Sequence, residues 1–169
     1  MIRGLLALVL VLILAGRVAA AEDHPRPYIA ALIGSQHIGN DDLNDMTPGL
    51  LAGLRAPVDR ASWEWHVEGG VFYNSYREVA PILLAGLSAD VAQIGPGALR
   101  LGASVGVARY EDLSEQLKAD YGIPNINGYI PIAAVTAVYR YAGTDLRLSV
   151  VPPGEDTIAI FNLSVAYGF

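Results

Sequence analysis

Apolar side chains at every second position constrain this chain more than any other feature of its sequence. The clearest case is the C-terminus, where large apolar or aromatic residues alternate with small or polar ones from Phe161 to Phe169. Successive side chains of a β-strand point to opposite faces, so this pattern predicts a strand with one apolar face. A strand of this kind fits either a β-sandwich or the wall of a barrel.

Seven further segments are rich in apolar residues and are separated by turn sequences. The eight predicted strands are residues 28–37, 47–55, 63–74, 81–91, 98–110, 128–140, 146–151 and 157–169. Most have about the 9–11 residues that a tilted transmembrane strand needs. A chain that ends on an aromatic residue after such a strand is typical of outer-membrane barrels. The sequence therefore predicts an all-β fold, an eight-stranded antiparallel transmembrane β-barrel.

The N-terminus predicts export. Arg3 precedes an apolar run and three alanines follow that run, which is the order of a secretory signal peptide. Arg17 interrupts the run before it reaches the roughly 20 residues of a spanning helix, so cleavage near Ala21 is favoured over a membrane anchor. We expect a signal peptide at 1–21 and a barrel domain at 22–169, located in the bacterial outer membrane.

Composition argues against several classes of function. The chain has no cysteine, and its three histidines lack the spacing of a metal site. Its formal net charge is −6 and it has no cluster of Lys or Arg, which argues against a nucleic-acid partner. We expect a monomer with no metal and no cofactor.

Loop lengths predict which end of the barrel faces outwards. Short turns of such barrels lie on the periplasmic side and longer loops lie outside, so both termini are expected in the periplasm. His37 and Asn74-Ser75 then lie at the outer rim. The longest loop, residues 111–127, also lies outside and is predicted to hold a short helix over residues 113–121.

The facing pattern predicts a lumen of mixed character. Glu64, His66 and Glu68 share one face of the third strand, opposite Trp63 and other apolar residues. The fourth and sixth strands are apolar on both faces and must therefore place apolar side chains inside. A small barrel is either filled by side chains or holds one small ligand. Plain packing and a cavity for a hydrocarbon chain are both open on this pattern.

One motif carries a resemblance to a known family. It reads Phe72-x-Asn74-Ser75-Tyr76 followed by Pro81-Ile82. It resembles the lipid A palmitoyltransferase family, where a phenylalanine, an Asp-Ser pair, an aromatic residue and then Pro-Ile mark the second outer loop. Other matching features occur in the same order along the chain: His37, Pro48, Tyr129-Ile130-Pro131, Pro152 and the terminal aromatic strand. Each motif is short, but together they cover essentially the whole mature chain.

The resemblance implies a catalytic site at the outer rim. The family consists of eight-stranded outer-membrane barrels that move a palmitoyl chain from a phospholipid donor to lipid A. By this likeness His37 is a general base, Asn74 holds its tautomer, and Ser75 is a nucleophile or an oxyanion donor. Asn74 stands where the family has aspartate, so it orients the imidazole without adding charge. Asparagine does serve this orienting role in Cys-His-Asn sites.

The resemblance also implies routes and a pocket for lipid. Pro48, Pro131 and Pro152 correspond to strand prolines that open lateral access, because proline has no N–H for the ladder. Gly86 corresponds to the glycine at the floor of the acyl pocket.

Three hypotheses follow. The first is an acyltransferase that moves a palmitoyl-type chain from a phospholipid to lipid A or lipopolysaccharide, or that hydrolyses the ester, and it predicts an apolar cavity open near His37 and Ser75. The second is a non-enzymatic structural or adhesive barrel, with a lumen filled by polar side chains. The third is a narrow pore, which needs a continuous polar lumen.

Overall fold

The alternating segments form strands with nearly the bounds that the sequence predicts. The computed structural model describes residues 24–39, 42–58, 62–110, 114–152 and 159–169, so the predicted signal peptide lies outside the described residues. The strands are β1 Arg26–Ile38, β2 Gly49–Pro57, β3 Trp63–Tyr73, β4 Val79–Ile94, β5 Gly97–Arg109, β6 Tyr129–Tyr141, β7 Thr144–Val151 and β8 Ala159–Gly168. The predicted helix is present as α1, Ser114–Tyr121, between β5 and β6.

Each strand pairs with its neighbours in the chain, and β1 pairs with β8. All eight pairings are antiparallel, and together they close the sheet into a barrel. Closure removes the unpaired edges that an open sheet would expose. The predicted eight-stranded antiparallel β-barrel is therefore confirmed. Among the described residues, no helix is long and apolar enough to cross a membrane.

The outward face of the barrel is an apolar belt. Its exposed aliphatic residues include Leu50, Leu54, Val67, Val71, Leu83, Leu87, Leu101, Val105, Val135, Leu148 and Leu163. Exposed aromatic residues accompany them, among them Trp63, Tyr129, Tyr141 and Phe169. In water such a surface would be unfavourable, whereas a lipid-facing apolar band flanked by aromatic residues is the normal exterior of a transmembrane barrel.

The two ends of the barrel differ in their connections. At the end that holds Arg26 and Gly168, two-residue turns join β4 to β5 and β6 to β7. Ala142 and Gly143 have φ of 48° and 80°, the left-handed values that tight hairpin turns require. Five residues separate β2 from β3 at this end. At the opposite end ten residues separate β1 from β2, five separate β3 from β4 and nineteen separate β5 from β6. By the usual orientation of such barrels, that end faces outwards.

The half of the lumen nearer the short turns, here called the lower lumen, is filled by ion pairs. Glu64 accepts two hydrogen bonds from Arg140, at 3.0 and 2.9 Å. Arg140 in turn pairs with Asp145, which also binds Arg55. A neighbouring cluster joins Glu68 to Arg147 at 2.8 Å and to the hydroxyl of Tyr28 at 2.8 Å; this is the Glu68–Arg147 layer.

This network makes the lower lumen a nearly neutral plug of paired charges. Three arginines face three carboxylates, so each buried charge has an opposite charge within hydrogen-bond distance. The predicted polar face of β3 is confirmed, because Glu64, His66 and Glu68 line the cavity within the barrel.

Candidate functional site

A β-bulge in β1 turns His37 into the lumen. Tyr28 and Ala30 are buried on the inward face at the start of β1. The register with β8 then shifts between Leu32 and Gly34, so that the inward positions change from even to odd numbers. His37 is consequently 5% exposed, at the end of the barrel that carries the long loops. Bulges commonly redirect a side chain beside a functional site.

The loop between β3 and β4 brings Ser75 to this histidine. The Oγ of Ser75 lies 2.7 Å from Nε2 of His37, although 38 residues separate them in the chain. Ser75 lines the cavity inside the barrel, so the pair lies where the lumen meets the outer loops. A hydroxyl in contact with an imidazole nitrogen is the arrangement by which a histidine activates a serine or another hydroxyl.

The loop between β1 and β2 supplies a third member of the site, Asp45. Its Oδ1 lies 2.8 Å from Nδ1 of His37, on the side of the ring opposite Ser75. The backbone N–H of His37 also donates to this oxygen, at 3.3 Å. The Asp45 side chain is 58% exposed, whereas the His37 side chain is almost fully enclosed.

Hydrogen bonds around Asp45 fix its loop. The carbonyl of Asp45 accepts from the backbone N–H groups of Ser35 and Thr47, at 3.0 and 3.1 Å. Asn44 binds both the carbonyl and the N–H of Met46 through its side-chain amide. The Asn44 N–H donates to the carbonyl of Ser75 at 3.1 Å, so the two loops that carry Asp45 and Ser75 are joined directly.

Asn74 has a different place from the one that the resemblance implies. It is fully buried, and its Oδ1 accepts from the backbone N–H groups of Tyr76 and Glu78, at 3.0 and 2.9 Å. The backbone N–H of Asn74 donates to the backbone carbonyl of Glu78. Asn74 therefore shapes the loop that presents Ser75, and Asp45 holds the nitrogen of His37 that Asn74 was expected to hold. This is a correction of the expected role.

Sequence reasoning missed Asp45 because its contact depends on the fold of a loop. Three aspartates lie between His37 and the second predicted strand, and no spacing rule distinguishes Asp45 from the other two. The only signal in the sequence is the Asn44-Asp45 pair ahead of Thr47-Pro48, which indicates a turn. Which of these side chains reaches the ring follows only from the backbone.

Beneath the site lies a cavity of about 210 Å³. Its part between Ser75 and the Glu68–Arg147 layer, here called the upper lumen, is mainly apolar. The apolar lining residues of the cavity include Leu32, Leu51, Phe72, Ile82, Leu84, Ile132, Ala134, Val151 and Ile160. Apolar pockets with a few polar groups at one end are typical of sites for small apolar ligands.

Three aromatic rings surround the mouth of this cavity. The Tyr110 ring meets those of Phe72 and Tyr76 edge to face, with centroids 6.4 and 6.2 Å apart. Phe72 and Tyr110 also line the cavity. Burial raises the pKa of the Tyr110 phenol, so this group stays neutral beside the site. Edge-to-face pairs of this kind add about 0.5–1.5 kcal/mol each to the burial of the rings, so they stabilise the wall of the mouth.

Gly86 does not form the floor of this cavity, which corrects the expected role. It pairs with His66 across β3 and β4, and a Cβ at this position would lie 2.5 Å from Cε1 of that ring and 2.6 Å from Oγ of Ser104. His66 itself binds Ser104 through Nε2 at 3.0 Å. The space left by the missing side chain is filled by the imidazole, and His66 belongs to the buried polar network as predicted.

The three prolines lie where strand pairing ends or lacks one partner. Pro48 directly precedes β2, whose last pair with β1 is Leu32 with Gly49. Among the described residues, β6 pairs with β7 only from Val135 to Tyr141, and Pro131 lies above that stretch. Pro152 follows the end of β7. These positions agree with openings in the wall, and their role as lateral gates stays a prediction.

Comparison with family models and with curated proteins gave no match. Among solved structures, a designed transmembrane β-barrel superposes with a TM-score of 0.54 at 16% identity, covering 89% of this chain and 100% of that one. The N-terminal barrel domain of OprF from Pseudomonas aeruginosa has a TM-score of 0.48 at 12% identity, covering 86% of this chain and all of that one. The outer-membrane protein Ail of Yersinia pestis has a TM-score of 0.45 at 11% identity, and the match covers 86% of this chain and 100% of that one. The first of these likenesses shows the fold alone, that of a transmembrane β-barrel.

Proposed function

We propose that this chain is an outer-membrane enzyme that takes an acyl chain from a phospholipid and passes it to lipid A or to water. The observation that carries the proposal is the 2.7 Å contact between His37 Nε2 and Ser75 Oγ at the mouth of a cavity whose upper part is mainly apolar. A pore would not need this pair, and a purely structural barrel would not need the cavity beneath it. The resemblance of the Phe72 to Ile82 motif adds support.

The chemistry proposed is attack on a carboxylic ester. A neutral imidazole accepts the proton of a hydroxyl while that oxygen attacks the ester carbonyl, which is general base catalysis. His37 is enclosed and Ser75 is half-buried, so the reacting groups are partly shielded from water.

The upper lumen supports an acyl chain as the group transferred. Aliphatic side chains line it, and a hydrocarbon chain placed there would be removed from water. The Glu68–Arg147 layer sets a limit, because inserting apolar carbon among paired charges would break their hydrogen bonds. The cavity therefore favours an acyl chain shorter than palmitoyl.

The test is an acyl-transfer assay with the purified barrel in detergent. Phosphatidylcholine carrying a labelled sn-1 chain is offered with and without lipid A to the wild type, His37→Ala and Ser75→Ala. Ser62→Ala is a matched control, because Ser62 lies at the opposite end of the barrel. We expect release of lysophospholipid by the wild type and the control, and a loss of about 10²-fold or more in the two site variants.

The products also separate the transferase from the hydrolase. Label on lipid A indicates transfer, and free fatty acid without labelled lipid A indicates hydrolysis. Wild-type barrel that does not cleave phosphatidylcholine would overturn the proposal. The second candidate, a non-enzymatic structural or adhesive barrel, would then lead, since the ion-paired lower lumen is what that hypothesis expects.

A further inference from the structure

Three side chains from three different segments form one chain of contacts. Asp45 Oδ1 lies 2.8 Å from Nδ1 of His37, and Nε2 of the same ring lies 2.7 Å from Oγ of Ser75. Both ring nitrogens are therefore engaged. The sequence predicted a site of His37 with the Asn74-Ser75 pair. The structure adds Asp45 to this site.

The chemical nature of the partners determines the direction of each hydrogen bond. An ionised carboxylate only accepts hydrogen bonds, so Nδ1 of His37 must carry a proton and donate the hydrogen bond to Asp45. Nε2 of the neutral ring is then an acceptor, and the hydroxyl of Ser75 donates to it. This leaves the Ser75 oxygen with its lone pairs directed away from the ring and ready to attack.

This arrangement distinguishes two mechanisms. In direct transfer, Nε2 would take the proton of the acceptor hydroxyl, which requires that position on the ring to be open. Here Ser75 occupies it at a normal hydrogen-bond distance. In the covalent mechanism the same contact is the starting geometry of the first step.

We propose that Ser75 forms a covalent acyl-enzyme and that Asp45 is the positioning residue of His37; this deepens the proposed function and rests on it. Ser75 Oγ bonds to the ester carbonyl carbon while its proton moves to Nε2 of His37. The bond from that carbon to the glycerol oxygen breaks, and His37 returns the proton to this oxygen, which releases lysophospholipid. A hydroxyl of lipid A or water then gives its proton to His37 and attacks the carbonyl carbon of acyl-Ser75. The bond from that carbon to Oγ breaks, and His37 returns the proton to Oγ, which restores the serine.

Asp45 acts through orientation more than through charge. Its side chain is 58% exposed, so water screens its attraction for a protonated ring. Its loop is nevertheless held by Ser35, Asn44 and Thr47, and these contacts keep Oδ1 aimed at Nδ1. An asparagine at this position could present its amide nitrogen to the ring and stabilise the wrong tautomer, as occurs in Ser-His-Asp sites.

The experiment uses an alkyl fluorophosphonate, which reacts with an activated serine whether or not an acyl acceptor is present. Wild-type barrel in detergent is treated with the probe, and the modified peptide is identified by mass spectrometry. We expect modification at Ser75, and a labelling rate lower by about 10²-fold or more in Asp45→Asn. Asp45→Glu is expected to recover part of the rate, and Ser62→Ala, at the opposite end of the barrel, to behave as the wild type.

Turnover of phosphatidylcholine is measured on the same samples, with circular dichroism to show that each variant keeps the barrel. The pH profile of Asp45→Asn is also recorded, since a loss of ring orientation changes the profile and a purely structural loss does not. Lipid turnover without any label on Ser75 would overturn the covalent inference, and full activity in Asp45→Asn would overturn the positioning role of Asp45. Either result would leave the proposed function standing. Label on Ser75 without lipid turnover would support the inference and count against lipid as substrate. If the wild type shows no label on Ser75 and no lipid turnover, the covalent inference and the proposed function are both overturned.

Discussion

His37 and Ser75, separated by 38 residues in the chain, meet at 2.7 Å at the loop end of the barrel. A bulge turns one of them inwards, and the loop organised by Asn74 presents the other. Neither residue is needed to close the barrel, whose strands pair through the backbone. The predictions that follow separate this site from the scaffold that holds it.

The first prediction concerns pH. A neutral imidazole is the form that accepts the Ser75 proton, so activity is expected to fall at acid pH. The measurement is kcat against pH from 5 to 8, with circular dichroism at each pH as the control for folding. An activity that stays constant across this range in a folded barrel would contradict a histidine base.

The second prediction concerns acyl chain length. At about 3.3 Å per residue and a tilt of about 40°, the four residues from Phe72 to Glu68 correspond to about 10 Å along the barrel axis, room for about eight carbons. Phosphatidylcholines with chains near this length are expected to be cleaved faster than palmitoyl ones. The rates are compared over a series of saturated chains, and a maximum at palmitoyl would contradict this limit.

The third prediction concerns Gly86. In Gly86→Ala the added carbon would lie 2.5 Å from both the Ala103 carbonyl and the His66 ring. Overpacking of this kind lowers the free energy of unfolding by about 1–3 kcal/mol. Urea unfolding measures the loss. Because His66 covers the glycine, the preferred chain length is expected to stay the same, and a clear shift to shorter chains would restore Gly86 as the pocket floor.

The fourth prediction concerns the ion pairs of the lower lumen. Arg147→Met leaves Glu68 buried without its cation, which is expected to lower the free energy of unfolding by about 3–5 kcal/mol. Arg26→Met is the matched control, because Arg26 is 45% exposed and its contact with Glu64 is 3.5 Å, so its loss should have little effect. Equal stability of the two variants in urea would contradict a stabilising plug.

The sequence was sufficient to predict the barrel and the lumen face of β3, because strand periodicity is a local property. Its prediction for β1 was less complete. Strict alternation from Tyr28 would place Gln36 in the lumen, and only the bulge between Leu32 and Gly34 places His37 there. Nothing in the apolar pattern marks that extra residue.

The candidate site was predicted only in part, because contacts between loops leave no local pattern in the sequence. His37 and Ser75 were identified through a resemblance of short motifs, and the fold brings them together. Asn74, next to Ser75 in the chain, turned out to organise the loop, while Asp45 from another loop took its expected place. Contacts between loops depend on backbone conformations that residue types alone do not determine.

The most direct test of the central claim is the release of lysophospholipid from labelled phosphatidylcholine by the purified barrel, compared with Ser75→Ala at equal folded concentration. We expect steady release by the wild type and a loss of about 10²-fold or more in the variant. Equal release by both proteins, or none by the wild type, would contradict a catalytic role for the His37–Ser75 pair.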